Sequence, residues 1–507
     1  MDTIVTMAIV GTGQLGSKDV ATATPVDALA TRIPADDAER KLLLTAGAWS
    51  IYRQAGRQTR PAPEAPRPAA QESLHACSPA ATNLLESLLQ KEHDEVLPEA
   101  LQRLKQLGQR LPYELLPQAL AYGAQSKDIR AALIPVIGER GRWLGQLNSG
   151  WSWVAQFLAG DTLPDDAETI WQEGTVGQRS AILHQLRAID PAKARDWLNE
   201  VWKQEKAEAR NKFLSAFKVG LSAADEEFLE KALDDRSEGV RTTAAELLAR
   251  IPTSALAQRM LARADAILTY DGTFKMKEPK EVDKSWQRDG IAVAPKGSKD
   301  KSWYQTQVLS LISPIHWEER FAATPEALIE AAKRHKQKND ILLCWSYAAT
   351  LHQTTSWALP LWQWLCEHRD RGVIREMYAS DIHEALVRLI PQSEIERYLL
   401  QYPADSGQWQ NALPTMTGLW SQELGEYYLQ SLRSVAASLI DNPSHVHSWN
   451  ATLTCAAHLL PPSCFALALE PLGLPQDEHR QFYYWQSLLN TFTELVRTRK
   501  RISEEII

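Results

Sequence analysis

Three arginines at a fixed spacing of 31 residues restrict the fold of this chain more than any other feature: Arg179, Arg210 and Arg241. The positions three, four and seven residues after each arginine are apolar, the spacing of one face of an α-helix. These positions are Ile182, Leu183, Leu186, Phe213, Leu214, Phe217, Ala244, Ala245 and Leu248. After each helix come a short break and a second helical run. Because one helix pair is too thin to bury its own apolar face, such repeats stack, and the sequence predicts an all-α fold, an α-solenoid of helical hairpins.

The third repeat has the clearest local signals. Its turn is acidic at 234–235, Val240-Arg241 open the next helix, and Ala244-Ala245 allow close helix approach. This repeat resembles the HEAT repeat, whose units carry an Asp-rich turn followed by an arginine. Arginines at a fixed repeat position can pair with the acidic turn of the neighbouring unit. We therefore expect structural roles for Arg179, Arg210, Arg241, Asp234 and Asp235.

Composition restricts the class of protein. The chain has 507 residues, a net charge of −8 and a pI near 5.9. Proteins that coat nucleic acid usually carry a basic excess, so nucleic acid is not expected as the main partner. The five cysteines form no CxxC pair, which disfavours a disulfide framework and a zinc ribbon. With no basic residue in the first ten positions and no run of eighteen apolar residues, the expected location is the cytoplasm, without a membrane segment.

Changes in composition divide the chain into six parts. The predicted parts are an N-terminal loop and helix (1–58), a Pro/Ala-rich linker (59–80), helical hairpins (81–170), the HEAT-like core (171–268), a polar Lys-rich insertion (269–302) and C-terminal helical repeats (303–507). The repeat ends after Leu268, because Gly272 stands where the next arginine would fall. In the insertion, the short alternating runs Thr273–Lys277 and Ile291–Val293 predict a small hairpin or an ordered loop.

The segment from Gly11 to Gly16 reads GTGQLG, a GxGxxG pattern that follows an apolar run. In a dinucleotide-binding fold the last glycine opens a helix whose N-terminus holds the pyrophosphate. Here the continuation to Pro25 has no amphipathic period. Asp36 and Asp37 precede a helix instead of ending a strand. The favoured interpretation is a loop, with a dinucleotide-binding oxidoreductase as a minor alternative.

Two stretches combine arginine, tryptophan and acidic residues. Trp and Arg are favoured anchors in protein interfaces, so these stretches predict a surface that binds a protein partner. The predicted interface residues are Arg140, Arg142, Trp143, Trp151, Trp153, Trp286, Arg288 and Asp289. The alternative for the first stretch is an Arg–Trp stack that packs one helical hairpin against the next.

Recognisable catalytic motifs and metal-ligand sets are missing from the sequence. The candidate metal ligands are Cys366 with His368, His445 with His447, and the lone His316, and none has the spacing of a four-ligand zinc site. There is no GxSxG elbow, Walker lysine or HExxH. We therefore predict no catalytic residue, no cofactor and no metal.

Several pieces together resemble a bacterial family of helical-repeat proteins for which no activity is established. They are Val10-Gly11-Thr12, Leu111-Pro112 with Leu115-Leu116-Pro117, the run from Gly138 to Leu144, Asp225 to Arg259, and Trp286 with Arg288-Asp289-Gly290. The resemblance implies that the chain works beside a MoxR-type AAA ATPase, a protein with a von Willebrand factor A-type domain and a SWIM zinc-finger protein.

The leading hypothesis is a non-enzymatic α-solenoid scaffold or adaptor that binds a protein partner, as part of such an ATPase system. The alternative is a nucleic-acid-binding enzyme of the HEAT-like alkylpurine DNA glycosylase type, which would use a basic groove lined with tryptophans. The orientation of the arginines separates the two hypotheses. An open groove lined by Arg142, Arg179, Arg210 and Arg241 favours the enzyme, and arginines that point into neighbouring turns disfavour it.

Overall fold

The fold is that of a computed structural model. The structure describes residues 3–12, 22, 24–34, 37–55, 66–158, 163–164, 166–279, 281–296, 302–368, 379–436, 446–471 and 480–507. The chain forms two compact bodies, an N-terminal body, Met1–Pro68, and a main body, Ala69–Ile507. The boundary between them falls inside the predicted Pro/Ala-rich linker.

The N-terminal body contains helices α1 (Thr3–Val10), α2 (Val26–Ala30) and α3 (Ala38–Ala55). Helix α1 precedes Gly11, where a dinucleotide-binding fold requires a strand, so the structure does not support that alternative. Gly13 to Gly16 lie outside the described residues. Several large apolar side chains of this body are exposed to solvent, namely Val5, Ile9, Val10, Leu29, Leu43, Leu44, Ile51 and Tyr52.

The main body begins with the predicted helical hairpins. Its first helices are α4 (Pro79–Leu89), α5 (Leu97–Gln106), α6 (Leu116–Gln125), α7 (Arg130–Leu133), α8 (Gly138–Leu147) and α9 (Trp153–Leu158). Ser78 caps α4 by accepting a hydrogen bond from the Ala81 backbone amide. A two-residue strand, β1 (His75–Ala76), lies within the predicted linker and pairs in parallel with β2 (Gln109–Arg110). That end of the linker is therefore part of the folded body.

The predicted core at 171–268 consists of stacked helical hairpins. Its helices are α10 (Ala167–Glu173), α11 (Val176–Ile189), α12 (Pro191–Val201), α13 (Ala207–Leu214), α14 (Glu226–Ala232), α15 (Glu238–Ala249) and α16 (Ala255–Ile267). Helices α11, α13 and α15 begin 31 residues apart, so each of the periodic arginines is the fourth residue of its helix. The apolar positions predicted to share one helix face are all buried. The hairpins pack in sequence, and the fold is an all-α, solenoid-like array.

An ion pair lies inside this core. The Arg187 guanidinium donates two hydrogen bonds of 2.9 Å, one to each carboxylate oxygen of Asp225, and neither side chain is exposed. Arg195 donates a third hydrogen bond to the same carboxylate, also of 2.9 Å. Arg187 also donates to the backbone carbonyls of Val219 and Gly220. The pair therefore joins the first repeat to the loop and capping turn of the second.

The insertion differs in part from the prediction. It begins with an antiparallel hairpin of β3 (Leu268–Tyr270) and β4 (Phe274–Met276), followed by a short helix, α17 (Lys284–Arg288). The predicted run Thr273–Lys277 contains β4, but its partner is β3, at the boundary between the core and the insertion, and not Ile291–Val293. Gly272, at φ +90°, supplies the tight connection between the two strands.

Helical hairpins continue to the C-terminus. They comprise α18 (Trp303–Ser310), α19 (Pro314–Phe321), α20 (Pro325–Lys333), α21 (Lys338–His352), α22 (Thr355–His368), α23 (Ala379–Val387), α24 (Gln392–Leu399), α25 (Gly407–Ala412), α26 (Gln422–Ala436), α27 (Val446–Leu459), α28 (Phe465–Ala468) and α29 (Arg480–Glu505). Many tryptophans of this part are fully buried and fill the core. No described helix has both the length and the apolar composition needed to cross a membrane.

The last helix connects the end of the main body to its beginning. Helix α29 packs against α27 and also against α4 and α5. Arg499, fully buried, donates from Nε and Nη2 to the two carboxylate oxygens of Glu99, at 2.6 and 3.1 Å. The Ser78 hydroxyl donates to the Glu505 carbonyl at 3.2 Å. The first hairpin of the main body is thus held by its C-terminal helix.

Candidate functional site

The first two periodic arginines point into the turn of the following repeat. Arg179 Nη2 donates to Glu205 Oε1 at 2.6 Å, and Arg210 Nη2 donates to Asp235 Oδ1 at 3.0 Å. The Arg179 guanidinium also lies over the Trp171 ring, 4.8 Å from its centroid. These pairs are the predicted ladder between neighbouring repeats. Both guanidinium groups are paired with carboxylates of the array, so these two arginines do not line an open basic groove.

The third arginine continues the ladder into the insertion. Arg241 Nη1 donates to the Asp235 carbonyl at 2.8 Å within its own turn, and Nε donates to the Gln287 carbonyl, also at 2.8 Å. Gln287 belongs to α17, so the insertion occupies the place that the turn of a fourth repeat would take. The array therefore continues in space through the insertion, although the 31-residue period of the sequence ends there.

Buried polar contacts hold α17 in this place. Asp289 is only 1% exposed, and its carboxylate accepts hydrogen bonds from Arg259 and lies 2.8 Å from Arg263 Nη1. The Trp286 ring is buried beneath the Arg263 guanidinium, 4.8 Å from its centroid. Trp286 and Asp289 were predicted as interface anchors. They cannot have that role in this fold, because packing onto the third repeat removes them from solvent.

Arg288 is half-buried and lies at the edge of the same contact. Its Nε donates to Asp234 Oδ1 at 2.7 Å, and Nη1 donates to Glu230 Oε2 at 3.3 Å. Asp234 therefore accepts from an arginine of the insertion and not from one of the three periodic arginines. Arg288 itself links α17 to the acidic turn of the third repeat.

Gly290 allows the insertion to approach the third repeat. Its φ is +84°, and a Cβ at this position would lie 2.7 Å from the Ala245 Cβ and 3.0 Å from the Arg241 carbonyl oxygen. The first distance is shorter than real Cβ contacts and the second is tighter than most of them, so a side chain here would push the insertion away from α15.

We expect Gly290→Ala to lower the free energy of unfolding by about 1–3 kcal/mol through overpacking, and by about 1–3 kcal/mol more through backbone strain. Gly272→Ala is the matched control, because Gly272 also has a positive φ of +90° but nothing within 4 Å of its Cβ position. Urea denaturation of both variants measures the difference. Equal destabilisation of the two would contradict close packing at Gly290.

A cavity of about 290 Å³ lies where the third repeat, the end of the insertion and the next hairpin meet. We call it the junction cavity. Its lining residues come from α15, the segment after α17, α18 and α21. They are Glu238, Thr242, Ala292, Trp303, Thr306, Gln307, Ser310, Asp340, Leu343, Cys344 and Tyr347.

Polar contacts fix the walls of the junction cavity. The Gln307 amide binds the Ala292 backbone in both directions, accepting from its amide at 2.7 Å and donating to its carbonyl at 3.2 Å. Trp303 Nε1 donates to the same carbonyl at 2.9 Å. On the far side, the Tyr347 hydroxyl donates to Glu246 Oε1 at 2.6 Å. The cavity is therefore preformed by contacts between three separate segments of the chain.

The titratable groups of the junction cavity are acidic or neutral. Glu238 and Asp340 carry the carboxylates, and Asp340 accepts a hydrogen bond of 2.7 Å from the Ser302 hydroxyl. Burial raises the pKa of the Cys344 thiol to about 12, and its Sγ donates to the Thr306 carbonyl. The thiol is thus protonated at neutral pH. Among the described lining residues there is no lysine, arginine or histidine.

The arginine- and tryptophan-rich stretch near α8 is divided between surface and core. Trp153 is buried, its Nε1 donates to the Leu120 carbonyl at 3.1 Å, and its ring covers Gly123. Packing within the hairpins thus removes Trp153 from any interface. Trp151 is partly buried against the core.

The remaining three residues of that stretch keep some exposure. Arg140 is exposed with its guanidinium over the Tyr113 ring, and Arg142 pairs with Glu139 at 2.9 Å. Trp143 is half-buried. All three lie on α8 and are at least partly exposed.

The candidate metal ligands do not come together among the residues that the structure describes. Cys366 Sγ lies 3.5 Å from His383 Nε2 in the core, and His316 Nε2 lies 2.8 Å from Asp265 Oδ1. His445 and the side chains of His368 and His447 lie outside the described part. No group of three potential ligands occurs within it.

Sequence reasoning missed the junction cavity. Glu238 and Asp340 each lie in the first turn of a helix, where an acidic residue is explained by the helix dipole. Trp303 and Tyr347 lie in helical patterns, where core packing is the common role. No local signal shows that the insertion folds back and brings these four side chains to one cavity.

Comparison with known proteins gives one match. A family model with the description "Family of unknown function (DUF5691)" matches residues 3–506. No curated protein and no solved structure matches the chain.

Proposed function

We propose that this chain, which belongs to the DUF5691 family, is a non-enzymatic helical-repeat scaffold that binds a protein partner. The observation that carries the proposal is the junction cavity, an indentation with carboxylate and aromatic side chains on an array of stacked hairpins. Stacked repeats bind partners on extended surfaces, and they need no reacting groups to do so. A preformed cavity on such a surface gives one anchoring point for a partner side chain.

The distribution of charge supports a protein partner over nucleic acid. The net charge is −8, and Arg179 and Arg210 are paired with carboxylates of neighbouring repeats. Binding to phosphates depends on cations that are free to displace counterions. The geometry therefore favours the scaffold over a glycosylase-type enzyme, and no second function is proposed.

The resemblance seen in the sequence names the candidate partners. Within the proposal, the scaffold joins the components of a MoxR-type AAA ATPase system, with the ATPase or the von Willebrand factor A-type protein as its direct partner. The half-buried Arg142 and Trp143 form a second contact region on α8.

Affinity purification tests this proposal. The tagged chain is recovered from cytosol of its native host with and without ATP, and the bound proteins are identified by mass spectrometry. We expect stoichiometric recovery of an AAA ATPase or a von Willebrand factor A-type protein, followed by direct binding of the purified partner in calorimetry. The control is the tag alone. Recovery of nucleic acid, or of no protein above the control, contradicts the scaffold function.

A further inference from the structure

We infer that the junction cavity is a receptor for a single arginine side chain presented by the protein partner. This inference rests on the proposed function and specifies its chemistry. The argument depends on the charge, the shape and the rigidity of the cavity.

Charge defines the kind of ligand. Two carboxylates, of Glu238 and Asp340, line the cavity, and its described lining contains no basic side chain to neutralise them. Within the described residues the Glu238 carboxylate has no hydrogen-bond or ion-pair partner. Arg241, one turn further along α15, is held by the carbonyls of Asp235 and Gln287. The described lining is therefore complementary to a cation.

Shape and lining select arginine among cations. Cavities that hold drug-sized ligands measure about 300–1,000 Å³, and the junction cavity, at about 290 Å³, has room for one long side chain. Trp303 and Tyr347 contribute aromatic rings, and Leu343 and Ala292 contribute apolar surface for methylene groups. A guanidinium stacks on aromatic rings and bonds carboxylates in a planar fork, whereas an ammonium is a compact, strongly hydrated charge.

Rigidity makes the site effective for a small ligand group. Gln307 and Trp303 fix the Ala292 wall, and Ser302 fixes the Asp340 carboxylate by a hydrogen bond of 2.7 Å. Acceptors that are already oriented lose little conformational entropy when a donor arrives. Serine and threonine hydroxyls on α15 and α18 supply further acceptors at the cavity wall.

The test uses the full chain and the peptide acetyl-Gly-Arg-Gly-amide as the probe. The matched control peptide carries citrulline, which has the same shape as arginine without its charge, and a lysine peptide tests the choice of cation. Binding is followed by ligand-observed NMR titration at low ionic strength. We expect the arginine peptide to bind at least about tenfold more tightly than the citrulline peptide, since one hydrogen bond between charged groups corresponds to about that factor.

A protein variant tests the location. Glu238→Gln/Asp340→Asn removes both carboxylates with little change of volume, and we expect it to lose the preference for arginine over citrulline. The control variant Asp128→Asn/Glu326→Gln makes the same change of charge at exposed positions and should retain the preference. Circular dichroism melting establishes that both variants fold.

The outcomes separate this inference from the proposed function. Equal binding of the arginine and citrulline peptides, or an unchanged preference in Glu238→Gln/Asp340→Asn, overturns the arginine receptor. If that variant still recovers the protein partner as the wild type does, the scaffold stands and the cavity is not its anchor. If the wild type recovers no protein partner, the scaffold function itself fails, whatever the peptides show.

Discussion

Replacement of Asp225 with alanine is expected to lower the free energy of unfolding by about 3–5 kcal/mol, because it leaves the Arg187 charge buried without its partner. Both carboxylate oxygens of Asp225 accept hydrogen bonds of 2.9 Å from Arg187, and neither side chain is exposed. Equilibrium urea denaturation at neutral pH, followed by circular dichroism, measures the loss.

A nearby surface carboxylate provides the control. Glu227 is exposed and pairs with Lys231 across one helical turn, so Glu227→Ala should leave the denaturation midpoint nearly unchanged. A similar midpoint for Asp225→Ala and Glu227→Ala would show that the Arg187 pair does not stabilise the core.

The Arg187–Asp225 pair also makes the free energy of unfolding depend on pH. Burial raises the pKa of Asp225, but the hydrogen bonds from Arg187 and Arg195 lower it by a larger amount. The net pKa therefore lies below the usual value. A carboxylate with a lowered folded-state pKa contributes stability that is complete above its unfolded-state pKa, about 3.9, and is lost as the pH falls through the folded-state value. The difference in stability between wild type and Asp225→Ala should therefore be constant from neutral pH to about pH 4 and decrease below it.

Leu248→Asp is expected to unfold the central repeats. Leu248 is fully buried, seven residues after Arg241 on the core face of α15. The change removes buried apolar atoms, at about 2–5 kcal/mol, and places an unpaired carboxylate in the core, where burial of even a neutral polar group costs about 1–3 kcal/mol. The free energy of unfolding of a native protein is only about 5–15 kcal/mol, so we do not expect the central repeats to stay folded after both losses. Thermal melting followed by circular dichroism measures the result.

Leu248→Met is the control for this position, because it nearly conserves volume and should cost less than about 1.5 kcal/mol. If Leu248→Asp melts cooperatively near the wild-type temperature, the assignment of this face of α15 to the core is wrong. Loss of signal in both variants would point to a general intolerance of the site and not to the buried charge.

The repeat core was predictable because its determinants are local. A helix face repeats every three to four residues, and capping residues act within one turn, so both are visible in a single stretch of sequence. Arg179 and Arg210 lie on acidic turns one repeat away, as predicted from the period. Ser222 and Asp225 form a capping box of this local kind.

The errors occur where a contact has no local pattern. Trp286 and Asp289 have the composition of an interface, yet the chain folds back and buries them on the third repeat. The partner of β4 is β3, whose first residue, Leu268, was predicted to end the core, and not the run Ile291–Val293. In both cases a tertiary contact determines the structural role of the residues, and that role differs from the one their residue types indicate.

By itself, the sequence determined the all-α class, the 31-residue repeat, the core face of its helices and the arginine ladder, because each depends on neighbours along the helix or on a constant spacing. Only the tertiary structure decided the Arg499–Glu99 contact that joins the last helix to the first hairpin, and the meeting of Glu238 with Asp340 around one cavity. Those side chains are far apart in the chain. Their proximity depends on how the hairpins stack, and no periodic pattern in the sequence indicates it.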